Sequence, residues 1–134
     1  MVKIYLSSRA IIRRGKKILL IREEEHWETP GGKLEPDENP IQNVHREMKE
    51  ELGTRVKILD RVPYFYKRVY KGNHTVMCYF FIKLLGKPKI TKDNHEALEI
   101  KFLSKKEIMK LKREKNLMGW DSICLPKIMK ELGL

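Results

Sequence analysis

Cysteine is scarce in this chain: Cys78 and Cys124 are the only two among 134 residues. They lie far apart in apolar surroundings and read as buried thiols. Neither a disulfide framework nor a cysteine-based zinc site is expected from them. Long hydrophobic runs are missing too. The first residues carry no apolar signal core, and no run reaches the ~18 apolar residues of a membrane-spanning helix. The expectation is a soluble, cytoplasmic protein with no membrane partner. Internal repeats and low-complexity linkers are also absent, and the length suits one domain over 1–134. Acidic side chains are the minority, 18 against 29 basic ones, for a net charge of +11. Either a lysine-rich solvated surface or a polyanionic partner, such as a nucleotide or nucleic acid, would account for that excess.

A hydrophobic share of 41% beside 35% charged residues supports a real core under an ionised surface, and excludes wholesale disorder. The charge is uneven. Residues 1–51 balance ten basic against ten acidic side chains, whereas residues 52–115 hold the whole excess. Ile4 to Ile12 and Ile18 to Ile21, around Arg14-Gly15-Lys16, read as a hairpin with a buried strand. Glu23-Glu24-Glu25 opens a loop, and Pro30-Gly31-Gly32 is a sharp backbone punctuation. Val56 to Val69 and Thr75 to Leu85 read as long strands around Lys71-Gly72-Asn73, followed by a polar loop and a strand over Leu98 to Leu103. Ser104 and Glu107 form a capping box for a helix ending near Leu111. A last helix from about Ser122 to Leu132 would keep Pro126 in its first turn. Strands mixed with a few helices indicate an α+β sandwich.

The best-signed element is a helix from Pro40 to Leu52. Asn39 suits the N-cap, proline suits the first helical position, Gln42 completes a capping box, and Gly53 suits a left-handed stop. Ile41, Val44, Met48 and Leu52 fall on one apolar stripe. Glu47 and Glu51 are i, i+4 neighbours, with Glu50 flanking them. Like charges at that spacing repel. A hard divalent cation such as Mg²⁺ or Mn²⁺, which takes oxygen ligands, would relieve the repulsion. The plain alternative is a solvated acidic face with Arg46 and Lys49 as partners. The preceding Pro-Gly-Gly turn favours the first reading, because glycine lets a backbone approach a metal–phosphate ligand closely.

Gly32, five residues, Glu38, seven residues, then Arg46-Glu47-Met48-Lys49-Glu50-Glu51-Leu52-Gly53 resembles the Nudix box. Thr54 departs from it, standing where that family has a bulky aliphatic residue. The resemblance implies a Nudix-type α/β/α sandwich with a mixed β-sheet between helices. It also implies Mg²⁺-assisted attack of water on a phosphorus of a nucleoside diphosphate linked to another group, X. By motif position Glu47, Glu50 and Glu51 look like metal-binding carboxylates, with the Gly31 carbonyl as an added ligand. Arg46 looks like the arginine that orients them, Glu38 like a brace between loop and helix, and Gly32 and Gly53 like structural positions. The general base would be Glu47 or a later loop glutamate, for which Glu96 stands in a comparable place; His95 has a weaker claim.

For substrate, Glu28 matches a nucleotide-proximal glutamate of MutT-type enzymes, and Arg22 leaves its strand toward the same mouth. Tyr5, Ser7 and Arg9 would share one face of the first strand. Tyr70 loosely matches a tyrosine of dinucleoside polyphosphate hydrolases, and Trp27 and Trp120 either stack on a base or fill the core. A (d)NTP or modified nucleotide is the expected substrate. Alternatives are ADP-ribose or a nucleotide sugar, a dinucleoside polyphosphate, 5′-triphosphate RNA tracked by the basic middle, or a sensor that binds without turnover. Nothing in the sequence decides whether the chain forms a homodimer.

Overall fold

The structure is a computed structural model that describes residues 2–91 and 96–134. Two layers of helix enclose a mixed sheet. Its strands are β1 (Ile4–Arg14), β2 (Lys17–Glu23), β3 (His26–Glu28), β4 (Gly31–Lys33), β5 (Val56–Ile58), β6 (Tyr64–Tyr70), β7 (Asn73–Leu84) and β8 (Ala97–Leu103). The helices are α1 (Pro40–Leu52), α2 (Lys105–Arg113) and α3 (Gly119–Glu131). The path β3-β2-β1-β7-β5 runs across the sheet, with β4 on β1, β6 on β7 and β8 on β2. The β1–β7 ladder is parallel, from Ile4 opposite His74 to Ile12 opposite Ile82; the other ladders are antiparallel.

Strand periodicity sorts the core. Successive residues of a strand point to opposite faces. Ile11, Ile18, Leu20, Met77, Tyr79 and Phe81 therefore pack toward α2 and α3. Ala10, Ile12, Leu19, Ile21, Cys78, Phe80 and Ile82 pack toward α1. This is the sandwich expected from the sequence, with apolar runs because both faces are covered. α1 seals its face with Val44, Met48 and Leu52, all fully buried; such burial stabilises by roughly 1.5–3 kcal/mol per side chain.

The ends of α1 are as expected. Asn39 accepts from the Gln42 N–H, the Gln42 side chain closes the box, and Gly53 stops the helix at φ 64°. Ile41, however, is 53% exposed, and Asn43 takes the buried place beside Val44. Three other expectations change. The stretch Val56–Val69 is two strands, β5 and β6, which pair end to end along β7. They are separated around Pro63, which has no N–H to give a ladder. The loop after β2 is only a tight turn, because Trp27 pairs with Arg22 and the Gly31–Lys33 segment forms β4 against Ser7–Arg9. Finally, α3 starts at Gly119, so Pro126 lies inside it rather than in its first turn. Met118, the N-cap, offers no capping side chain, and that is why the start was not evident.

Candidate functional site

The Pro-Gly-Gly turn lies against α1. Gly31, at φ 148°, is paired with Arg9 across the β1–β4 ladder, and any Cβ there would strike the Ser8 carbonyl. Gly32 has a different reason to lack a side chain: a Cβ would run into the Glu47 carboxylate, with Cδ at 2.6 Å. The Gly31 N–H donates to Glu51 Oε2 at 2.8 Å. The turn and two glutamates of α1 therefore touch.

Arg46 organises the rest. Its Nε and Nη2 donate to the two Glu38 oxygens at 3.0 and 2.7 Å, a two-pronged bond that suits a planar guanidinium. Nη1 lies 3.0 Å from Glu47 Oε1 and 3.1 Å from Glu50 Oε2. Nη2 also donates to the Lys33 carbonyl at 3.2 Å. The long side chain thus reaches from the flank of the helix to Glu38, Glu47 and Glu50, with Glu35 a little farther off at 3.6 Å. Asn43, which the sequence did not single out, completes the brace. It donates to Glu38 Oε1 at 2.9 Å and to the Lys33 carbonyl at 3.0 Å, and accepts from the Ser8 N–H at 3.2 Å.

Burial divides these carboxylates. The Arg46 bonds hold Glu38 down to about 2. Glu51 is pushed up to about 8 by burial, against which the Gly31 N–H acts only partly. Glu47 is also raised by burial, although Arg46 pulls the other way. Glu28, 3.5 Å from Arg9 Nη1, rises to about 7 for the same reason. Among the described residues no three carboxylate, His or Cys groups already form a closed metal cluster; the partners of the glutamates are Arg46 and the Gly31 N–H. Glu47 and Glu51 are raised because desolvated carboxylates lack enough positive charge. An all-oxygen set with that deficit fits a hard divalent cation.

Beside the turn lies a cleft of about 520 Å³. It brings together the expected Tyr5, Ser7, Arg9, Gly32, Tyr70 and Trp120. Lys33 and Arg68 line it too, and no carboxylate does so among the described residues. The Arg68 guanidinium stands 5.6 Å from the ring centres of both Tyr70 and Trp120, within cation–π range. Arg9 Nη1 donates to the Thr29 carbonyl at 2.7 Å.

Other expected residues lie elsewhere. Arg22 is engaged by Glu99 at 3.2 Å and by the Glu24 carbonyl at 2.8 Å, outside the cleft. Glu96 lines a separate depression with Glu23, Glu24, His26 and Leu98. Trp27 packs against the α2–α3 core, which answers its alternative in favour of packing. His95 falls outside the described residues. Sequence reasoning missed Asp121, which is 0% exposed and bonded to Thr29 and Tyr79. A signal existed: Asp121, Leu125 and Ile128 are spaced i, i+4, i+7, so the aspartate lies on the apolar stripe of α3.

A helix bearing glutamates, docked under a Pro-Gly-Gly turn in an α/β/α sandwich, defines the class of fold and site. A family model described as NUDIX domain matches residues 5–120. The chain belongs to the Nudix family. It is 36% identical over 91 residues to a putative 8-oxo-dGTP diphosphatase, YtkD, of Bacillus subtilis, covering 68% of this chain and 47% of that protein. It is 41% identical over 64 residues to a MutT-like protein of Streptomyces ambofaciens, covering 46% and 41%. The matches therefore span about half the length of these curated relatives. Among solved structures, the E. coli ORF135 protein superposes with a TM-score of 0.77 at 27% identity, covering 96% of this chain and 91% of that one. Among the described residues no helix is long and apolar enough to cross a membrane.

Proposed function

We propose that this chain is a divalent-cation-dependent pyrophosphohydrolase acting on a nucleoside diphosphate linked to X, with a (d)NTP or modified nucleotide as substrate. One observation carries the reading. The Glu51 carboxylate is buried against the Gly31 N–H, beside Glu47, and burial raises the pKa of both. Glu47, Glu50, Glu51 and the Gly31 carbonyl would hold Mg²⁺ or Mn²⁺. Such a cation supplies positive charge against the diphosphate oxygens and acidifies water.

The protein's own groups do the rest. Arg46 keeps the glutamates in one orientation, and Glu38 and Asn43 anchor Arg46 in turn. Phosphoryl transfer needs positioning and charge more than covalent help. Glu47 is the nearer candidate to receive the proton of the attacking water, because its carboxylate rests on Gly32 at the mouth of the cleft. Glu96 is the alternative. The water oxygen bonds to phosphorus while the bridging P–O bond breaks, and the leaving group, pyrophosphate or nucleoside monophosphate according to which phosphorus is attacked, takes the electron pair. In the cleft, Trp120 and Tyr70 offer faces for a base, and Lys33 and Arg68 offer charge to phosphates. The diphosphatase name of the B. subtilis relative supports a nucleoside triphosphate.

The test is product analysis on a panel with and without Mg²⁺: canonical and oxidised dNTPs, ADP-ribose, nucleotide sugars, dinucleoside polyphosphates and 5′-triphosphate RNA. The expected result is nucleoside monophosphate plus pyrophosphate from a triphosphate, only with cation. Binding without turnover across the panel would make the chain a sensor and end the hydrolase reading. Glu47→Gln and Glu96→Gln assign the base: at least a tenfold fall in kcat, about 1.4 kcal/mol of barrier, marks the one that acts.

A further inference from the structure

Thr29, just before the Pro-Gly-Gly turn, is fully buried, and all three of its hydrogen-bonding groups are engaged. Its N–H donates to Asp121 Oδ2 at 2.7 Å and its hydroxyl to Asp121 Oδ1 at 2.9 Å. Its carbonyl accepts from Arg9 Nη1. Asp121 accepts a third bond, from the Tyr79 hydroxyl, at 2.9 Å. A buried carboxylate is costly unless its lone pairs are filled, and here three donors fill them, which fixes Asp121 against Thr29 and Tyr79. Its bonds go to one turn residue and one strand residue. Two residues beyond Thr29, Gly31 donates to Glu51, and the residue before Asp121 is Trp120, a wall of the cleft.

We propose that Asp121 is a positioning residue for the cation site: through Thr29 it sets where the Pro30-Gly31-Gly32 turn faces Glu51 and Glu47. The same tie holds the first turn of α3, which carries Trp120, to the residue that leads into the glycine turn. What the turn serves rests on the function proposed above; that Asp121 sets it does not.

Three variants test this: Asp121→Ala, Asp121→Asn and Thr29→Val. Asparagine can still accept from the Thr29 N–H while its amide donates to the two hydroxyl oxygens. Valine removes only the hydroxyl bond. The first readout is amide hydrogen exchange in cation-free protein. Asp121→Ala should accelerate exchange at Gly31 about tenfold more than at Leu19 in the core. The second is the Mn²⁺ dissociation constant, read by paramagnetic resonance. It should rise about tenfold or more in Asp121→Ala, as for groups that orient metal ligands, and recover most of the loss in Asp121→Asn. Thr29→Val should lie between. Uniform exchange changes over α3 and the core, with Mn²⁺ affinity within twofold of wild type, would overturn the proposal. If Asp121→Ala does not fold, wild-type exchange at Gly31 in Thr29→Val overturns it equally. If wild-type protein fails to bind Mn²⁺, the hydrolase reading fails, while the exchange at Gly31 still decides the role of Asp121.

Discussion

α1 and α2 begin alike and end as opposites. Each opens on a capping box, Asn39 with Gln42 and Ser104 with Glu107. Each covers one face of the same sheet, and each carries many charges. In α1 the glutamates are fixed: Arg46 holds Glu47 and Glu50, as it does Glu38 ahead of the helix, and Gly31 holds Glu51. In α2 no ion pair is found among the described residues, and Glu107 only closes the capping box. Among the described residues the α2 lysines make one hydrogen bond, from Lys105 to the Leu134 carbonyl. The number of charges on a helix therefore says little about function; their contacts with other elements say more. The +11 excess lies mostly with charges of the second kind, and the candidate site lies with the first.

The comparison would break most visibly at Glu51. Glu51→Gln should lower kcat by at least ~100-fold and weaken Mn²⁺ binding, as expected for a first-rank ligand; steady-state rates and metal titration check it. Arg46→Lys comes next. A lysine cannot make the paired bond to Glu38, so about a tenfold loss of kcat/KM with the fold intact is expected from kinetics and circular dichroism.

A third effect is on pH. Glu51 near 8 and Glu28 near 7 lie above the ordinary 4.5, so between about 4.5 and 8 the folded cation-free chain binds more protons than the unfolded one. Its stability should fall as pH rises through that window. Glu38, held low, acts only below it. Saturating Mg²⁺ should remove the part of the fall that comes from Glu51, and thermal midpoints at about pH 5 and about pH 8, with and without the cation, measure both. A cation-free midpoint that rises with pH would contradict the burial of these carboxylates.

The two caps give a smaller and equal effect. Asn39→Ala and Ser104→Ala should each cost about 1 kcal/mol in denaturant unfolding. Least of all, Lys110→Gln should change stability by no more than about 0.5 kcal/mol and leave turnover unchanged.

Local chemistry made part of this molecule legible in advance. Asn39, Gln42 and Gly53 bound α1 by signals within a few residues of one another, and i, i+4 spacing alone placed Glu47 beside Glu51. Pairing between distant segments was not legible. Nothing near Pro63 shows that β5 and β6 share one neighbour, because β7 decides it. Trp120 and Trp27 look alike in sequence and both pack against the α2–α3 core, yet Trp120 also lines the cleft. Arg46 was legible by motif position as the orienting arginine, but its bonds to Glu38 and the Lys33 carbonyl depend on the reach of a long guanidinium. The apolar stripe of α3 signalled that Asp121 is buried, but not its bonding partner Thr29, 92 residues away.

That separation bears on how the chain acquires its site. Contacts between distant residues are slow to form, because a long loop must close before they contribute. On a ribosome, α1 and the glycine turn emerge with every glutamate in place, long before α3 does. A nascent chain at that stage holds the carboxylates but not the aspartate that sets the turn. Cation affinity should therefore develop late in folding, after β7 has joined β1 in parallel and α3 has docked. A metal probe would then time the last step of assembly, which backbone signals from α1 would miss.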